Sequence, residues 1–311
     1  ANIGGNVMMK SQGNDITNRS HIKFKNNIFI LIVGFSLLLM TALIVRKRLA
    51  LEEPIYYRYL VEHYLPTIPD SVVETSSIRL SYVADIKDKR EITNVTFNNH
   101  PKLDVTVTDH VTKKYWIYKL VTVTLFLEWD IDKADVLPKF VEINSIDVNY
   151  SNKSSQVVDI GNIYIYSGEA SEEILEPVDC LPLYDLVRKQ TYETPEKVSI
   201  EGFSDSTNKF LENEDILESL SFRFNNFDLL NSSKPISIPK GQQIEFKMKI
   251  KDITKKDFFT TSKFDFYEFR PQIILFDESG NEYFVSVYNP CIFHEFDSYD
   301  DVRKFIKRRS C

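Results

Sequence analysis

The chain has 311 residues, 13% of them aromatic, and a formal net charge of -7 with acidic and basic side chains interspersed. No basic stripe marks a nucleic-acid surface. Three cysteines, Cys180, Cys291 and Cys311, are too few for a disulfide scaffold, and only nine glycines argue against glycine-rich phosphate loops.

Residues 1–27 read as a short polar tail. Asn2 to Val7 back-translate to a bacterial ribosome-binding site ahead of Met8-Met9, which gives the hypothesis of a start at Met8 or Met9 in an AT-rich bacterial source. An ordinary polar tail is the alternative. Residues 28–45 (IFILIVGFSLLLMTALIV) then carry no charge and at helical rise cover roughly 27 Å, close to the hydrocarbon thickness of a bilayer. Ser36 and Thr41, the polar side chains of the run, can bond back to their own helix. The following Leu43 to Leu49 lacks the small residues of a signal-peptidase site, and Cys180 lies too far downstream for a lipobox. The expectation is an uncleaved single-pass helix whose partner is the lipid bilayer.

Charge does not orient that helix. Lys10, Arg19, Lys23 and Lys25 precede it, and Arg46, Lys47, Arg48 and Arg58 follow it. The Arg46-Lys47-Arg48 cluster favours a cytoplasmic C-terminal side. The short N-terminal segment, the β character of the long C-terminal part and Glu52-Glu53 favour the opposite, which is the preferred expectation. Residues 46–70 are expected as a juxtamembrane helix or linker, with Tyr56, Tyr57, Tyr59 and Tyr64 either at headgroup level or against the following domain.

From Ile78 the apolar period changes to two. Ile78, Leu80 and Tyr82 form one set; Leu103, Val105 and Val107 another; then Val121 to Trp129, and Ile146, Val148 and Tyr150. These strands, with Ile163 and Ile165, define a β-sandwich module at 71–168. An acidic, proline-containing linker or crossover follows at 169–197, with a short helix around Leu183 to Lys189. A second module is expected at 198–291. Ile244, Phe246, Met248 and Ile250 alternate there with polar residues, and Asp277 to Asn281 turns one strand from Pro271 into another from Tyr283. The Ile238-Pro-Lys-Gly-Gln242 strand and the Asp277-Glu-Ser-Gly-Asn-Glu-Tyr283 hairpin resemble the immunoglobulin-like modules of bacterial envelope proteins. The resemblance implies a sandwich and carries no activity. A loose echo between Ser145 to Tyr150 and Ser221 to Asn226 fits either duplication or chance. In 292–311, Ser298 and Asp301 form a capping-box pattern, and Arg303, Lys304, Lys307, Arg308 and Arg309 suit the end of a helix.

The fold class expected is therefore mainly β: one N-terminal transmembrane helix, one or two antiparallel, immunoglobulin-like sandwiches, and a short C-terminal helix. No catalytic, cofactor-binding or metal site is assigned. His100 and His110 stand at opposite ends of one strand, and Cys291, His294 and Glu295 make a half-site at most. A bridge between Cys180 and Cys291 and a pair of separate thiols both remain open. The expected function is non-catalytic: a bacterial cell-envelope protein, anchored in the cytoplasmic membrane, whose outward β domain binds or scaffolds a protein or cell-wall polymer. The alternative is a cytoplasmic interaction domain on an N-out helix, and a surface hydrolase stands third. Strands 244–250 and 283–288 are the candidates for edge pairing with a partner.

Overall fold

The uncharged run forms the second half of α1 (Gly13–Leu49) in a computed structural model that describes residues 13–66, 77–97, 100, 103–129, 138–168, 175–181, 187–225, 227–229, 235–252, 255–286 and 291–309. Residues 1–52 and 53–311 are two separate compact units. The proposed start at Met8 or Met9 lies outside the described residues. Within α1, Thr41 Oγ1 donates to the Leu37 carbonyl, the back-bond expected of a helical threonine. Arg46, Lys47 and Arg48 occupy the last turn, where cations complement the helix dipole.

The second unit begins with β1 (Ile55–Tyr56), β2 (Tyr59–Pro66), β3 (Ser77–Asp85), β4 (Ile92–Thr96), β5 (Leu103–Tyr115), β6 (Tyr118–Trp129), β7 (Phe140–Tyr150) and β8 (Ser155–Gly168). It continues through β9 (Glu176–Leu181), β10 (Val187–Glu193), β11 (Val198–Phe203), α2 (Asp205–Asn213), β12 (Leu217–Phe224), β13 (Phe227–Asp228), β14 (Ile236–Ile238) and β15 (Gln243–Ile250). α3 (Lys255–Thr261), β16 (Phe266–Glu268), β17 (Gln272–Phe276), β18 (Glu282–Ser286), β19 (Cys291–Phe293) and α4 (Tyr299–Arg309) complete it. The architecture is mainly β, with several largely antiparallel sheets, an N-terminal apolar helix and a short C-terminal helix.

Period-two patterning has the expected consequence in most strands. Val121, Val123, Leu125, Leu127 and Trp129 of β6 are all buried, as are Ile78, Leu80 and Tyr82 of β3 and Ile146, Val148 and Tyr150 of β7. The first sheet has the order β1-β3-β6-β5, and the largest has β19-β16-β2-β8-β7-β4. Ile78, Leu80 and Leu125 of the former meet Tyr59, Val61, Ile146, Ile160 and Ile163 of the latter around a gap no larger than a water molecule. Two further sheets have the orders β13-β12-β15-β10-β9 and β14-β11-β17-β18.

Several expectations are corrected. Residues 50–66 of the stretch 46–70 are not a juxtamembrane helix: β1 pairs with β3, and β2 lies in the middle of the largest sheet, while 67–70 lie outside the described residues. Tyr56, Tyr57, Tyr59 and Tyr64 are buried in the domain, so the headgroup placement is excluded for them. Their period was ambiguous because β2 is covered on both faces: Leu60, Val61, Glu62, His63, Tyr64 and Leu65 are consecutive buried residues. β2 also runs parallel to both β8 and β16, which departs from the all-antiparallel expectation. Because β16 and β19 join β2, β8, β7 and β4, one sheet draws on both of the stretches assigned to separate modules at 71–168 and 198–291. Within 169–197, β9 and β10 are paired strands rather than linker, and residues 187–189 of the expected helix are strand. The rest of that helix, residues 183–186, lies outside the described residues.

Gly161 sets the approach of β2 to β8. It has φ +83°, and a Cβ there would lie 2.4 Å from the Tyr59 carbonyl oxygen. Only a residue without a side chain permits this register.

Candidate functional site

A fully buried carboxyl, Glu62, sits where α2 meets β2. Ser204 caps α2, its hydroxyl accepting from the Thr207 N–H at 3.3 Å. Phe210, on the inner face of the helix, stacks on Phe269 at 4.3 Å. This docking presents Ser206 and Thr207 to Glu62 on β2. Both hydroxyls donate to Glu62 Oε1, at 2.7 and 2.5 Å, and Thr207 Oγ1 also accepts the Gln272 N–H at 2.8 Å.

Glu62 is fully buried, and its second oxygen, Oε2, has no hydrogen-bond partner. Burial pushes its carboxyl up to about 8, against the opposing effect of the Thr207 and Ser206 hydrogen bonds. The arrangement holds a neutral acid at neutral pH. Chemically it is a clamp between helix and sheet: the donors that could activate a nucleophile are spent on one carboxyl oxygen. The sequence pattern alone did not single out Glu62, because a lone Glu within an apolar stretch has no spacing signature. A local signal for α2 did exist, the Ser204 N-cap ahead of Asp205, but it went unread in the sequence.

Beside α2 lies a broad open depression lined by Phe140, Asp205, Asn208, Lys209, Leu211 and Glu212. Asp205 and Glu212 are seven residues apart on the helix, a backbone rise of roughly 10 Å.

The residues weighed in sequence are dispersed. His100 Nε2 lies 3.0 Å from the Glu142 carbonyl oxygen, while His110 is exposed on β5. The His294 ring packs on Phe258 at 4.7 Å, Glu295 pairs with Lys113 at 3.2 Å, and Cys291 is an exposed free thiol. The bridge from Cys180 to Cys291 is therefore not formed. Extended backbone explains the scatter, since successive side chains leave on opposite faces. Among the described residues no three His, Cys, Asp or Glu side chains converge as a metal-binding group.

A second polar centre fixes the C-terminus. The Ser298–Asp301 capping box forms as expected, with Asp301 N–H to Ser298 Oγ at 3.3 Å and Ser298 N–H to Asp301 Oδ2 at 3.2 Å. At the other end of α4, Arg308 and Arg309 both pair with buried Asp265, the latter at 3.1 Å. Asp265 Oδ2 also accepts the Arg58 N–H at 2.7 Å, and Arg308 donates to the carbonyls of Phe258 and Ser262. The basic end of α4 is thus partly a structural latch.

Of the two edge candidates, Ile244 to Ile250 is corrected: β15 lies between β12 and β10 and has no free edge. β18 is the last strand of its sheet, although residues 287–290 lie outside the described residues.

Fold and surface define a mainly β protein in which, among the described residues, one helical stretch, Phe29–Leu49, is long and apolar enough to cross a membrane. No protein-family model and no curated protein matches the chain.

Proposed function

We propose that the chain is a single-pass, membrane-anchored bacterial cell-envelope protein whose β domain lies outside the cytoplasmic membrane and acts by binding or scaffolding rather than by catalysis. The observation that carries the reading is the 21-residue stretch Phe29–Leu49, none of it buried by the protein itself. Leu31, Leu38 and Phe35 are 73%, 71% and 67% exposed, a density of bare apolar surface that water does not tolerate and lipid does. The sandwich reading of the domain, in the immunoglobulin-like sense, rests on the facing of the first and largest sheets. A binding role is supported by β18, an edge strand on which an extended protein segment can add; a wall polymer is the other partner class.

The Arg46-Lys47-Arg48 cluster favours a second reading, in which the same domain faces the cytoplasm. One experiment separates them. Membranes washed with alkaline carbonate should retain the protein, and protease added to intact spheroplasts should degrade the domain from β3 onward. Release by carbonate refutes the anchor. Retention with full protection of the domain refutes the outward orientation and favours the second reading.

A further inference from the structure

The turn between β5 and β6 breaks the rules of turn chemistry. Tyr115 pairs with Tyr118, leaving Trp116 and Ile117 as a two-residue loop. Trp116 has φ +48°, a conformation that favours Gly or Asn and is strained for a bulky side chain. Ile117 is buried, whereas the indole is 67% exposed. It is held up by Tyr299 of α4, whose ring meets it edge to face at 5.0 Å and itself stacks on Tyr118 at 5.7 Å. A strained backbone that displays a supported aromatic side chain to solvent calls for a partner.

The surroundings indicate which. Exposed Lys87 and Lys89 lie on the β3–β4 loop, which is tied to this turn by the Ile86 N–H to Ile117 carbonyl bond at 2.8 Å and by Lys119 Nζ on the Asp88 carbonyl. Lys114 and Arg303 are exposed beside the turn and beside Tyr299. Asp88 and Glu53 both pair with Arg90, and Glu91 on the same loop and Asp297 and Asp300 flanking Tyr299 in the chain are exposed acids of this domain. The domain's first residues reach the same end of the sheet: Ile55 lies opposite Val83, two positions short of Asp85, which lies opposite Tyr118. Leu49, the last residue of the apolar span, is four chain steps from Glu53, at most roughly 14 Å at any angle of the helix.

We propose that the Trp116 turn, ringed by Lys87, Lys89 and Lys114, is a second membrane contact that seats at the headgroup level of an anionic bilayer. Trp prefers that interfacial zone, lysines are drawn to its charge, and the short tether keeps this end of the domain within reach. The inference rests on the membrane-anchor reading.

The test uses the full chain, reconstituted into vesicles of phosphatidylcholine and phosphatidylglycerol. The chain has two tryptophans, so Trp129→Phe leaves Trp116 as the reporter. Its emission should shift to the blue and fall about twofold with lipids brominated near the headgroup, and both effects should weaken in Lys87→Glu/Lys89→Glu/Lys114→Glu or at high salt. If Trp129→Phe does not fold, the difference between the native chain and Trp116→Asn supplies the same readout. Carbonate-resistant anchoring with a water-like, unquenched Trp116 overturns the contact and leaves the anchor standing. Loss of anchoring in the same vesicles overturns both. Shielding of Trp116 by a soluble glycan or by a protein partner, without lipid quenching, also overturns it.

Discussion

Replacing Glu62 by Gln tests the clamp between α2 and β2. In the folded protein the buried carboxyl keeps its proton up to about pH 8, whereas its ordinary value is 4.5. Between those limits unfolding releases a proton, so raising the pH destabilises the fold by about 1.4 kcal/mol per unit. Across the window the loss reaches about 5 kcal/mol, comparable with the whole stability of many domains. The contribution is harmless below pH 4.5 and at its worst above pH 8. The amide introduced by Glu62→Gln would keep an oxygen for Ser206 and Thr207 and has nothing to ionise. Urea titrations of the native chain and Glu62→Gln in detergent, from pH 5 to pH 9, measure the difference directly. The two should be nearly equal at pH 5, and the variant should be the more stable by several kcal/mol at pH 9. Two curves that run parallel across that range would refute a neutral Glu62, because they would mean that the native carboxyl ionises as it does in water. A variant less stable at every pH would instead mean that the carboxylate is required.

Other substitutions probe other parts of the fold. Gly161→Ala adds a Cβ against the Tyr59 carbonyl at a positive φ, so it should cost at least ~2 kcal/mol and lower the midpoint of thermal unfolding; an unchanged melt would contradict the close approach of β2 and β8. Asp265→Ala strands Arg308 and Arg309 and should free α4, costing ~3 kcal/mol and exposing the C-terminus to trypsin at those arginines, whereas the native chain resists cleavage there. Trp116→Asn relieves the left-handed turn and gives up the contact with Tyr299, so thermal stability should change by less than ~1 kcal/mol; a large loss would show that the indole is part of the core.

Local pattern made part of this protein readable in its sequence. An uncharged run the length of a bilayer needs no tertiary partner to be recognised, because backbone satisfaction within the helix and side-chain transfer to lipid are both local quantities. The same holds for strands with one buried face, such as β3, β6 and β7, and for the Ser298–Asp301 cap of α4, where the donors and acceptors lie within one turn. Tertiary structure alone decided the rest. β2 is buried on both faces and so lost its alternation, and its parallel neighbours, β8 and β16, come from distant parts of the chain. Glu62 acquired its raised proton affinity only when tertiary packing buried it, against the opposing hydrogen bond from Ser206, 144 residues further on. Trp116 was one aromatic among many until the strand register placed it in a two-residue turn with a left-handed φ. Periodicity records which face of an element is apolar. Which elements meet, and what their meeting does to a buried charge, is a property of the packed chain.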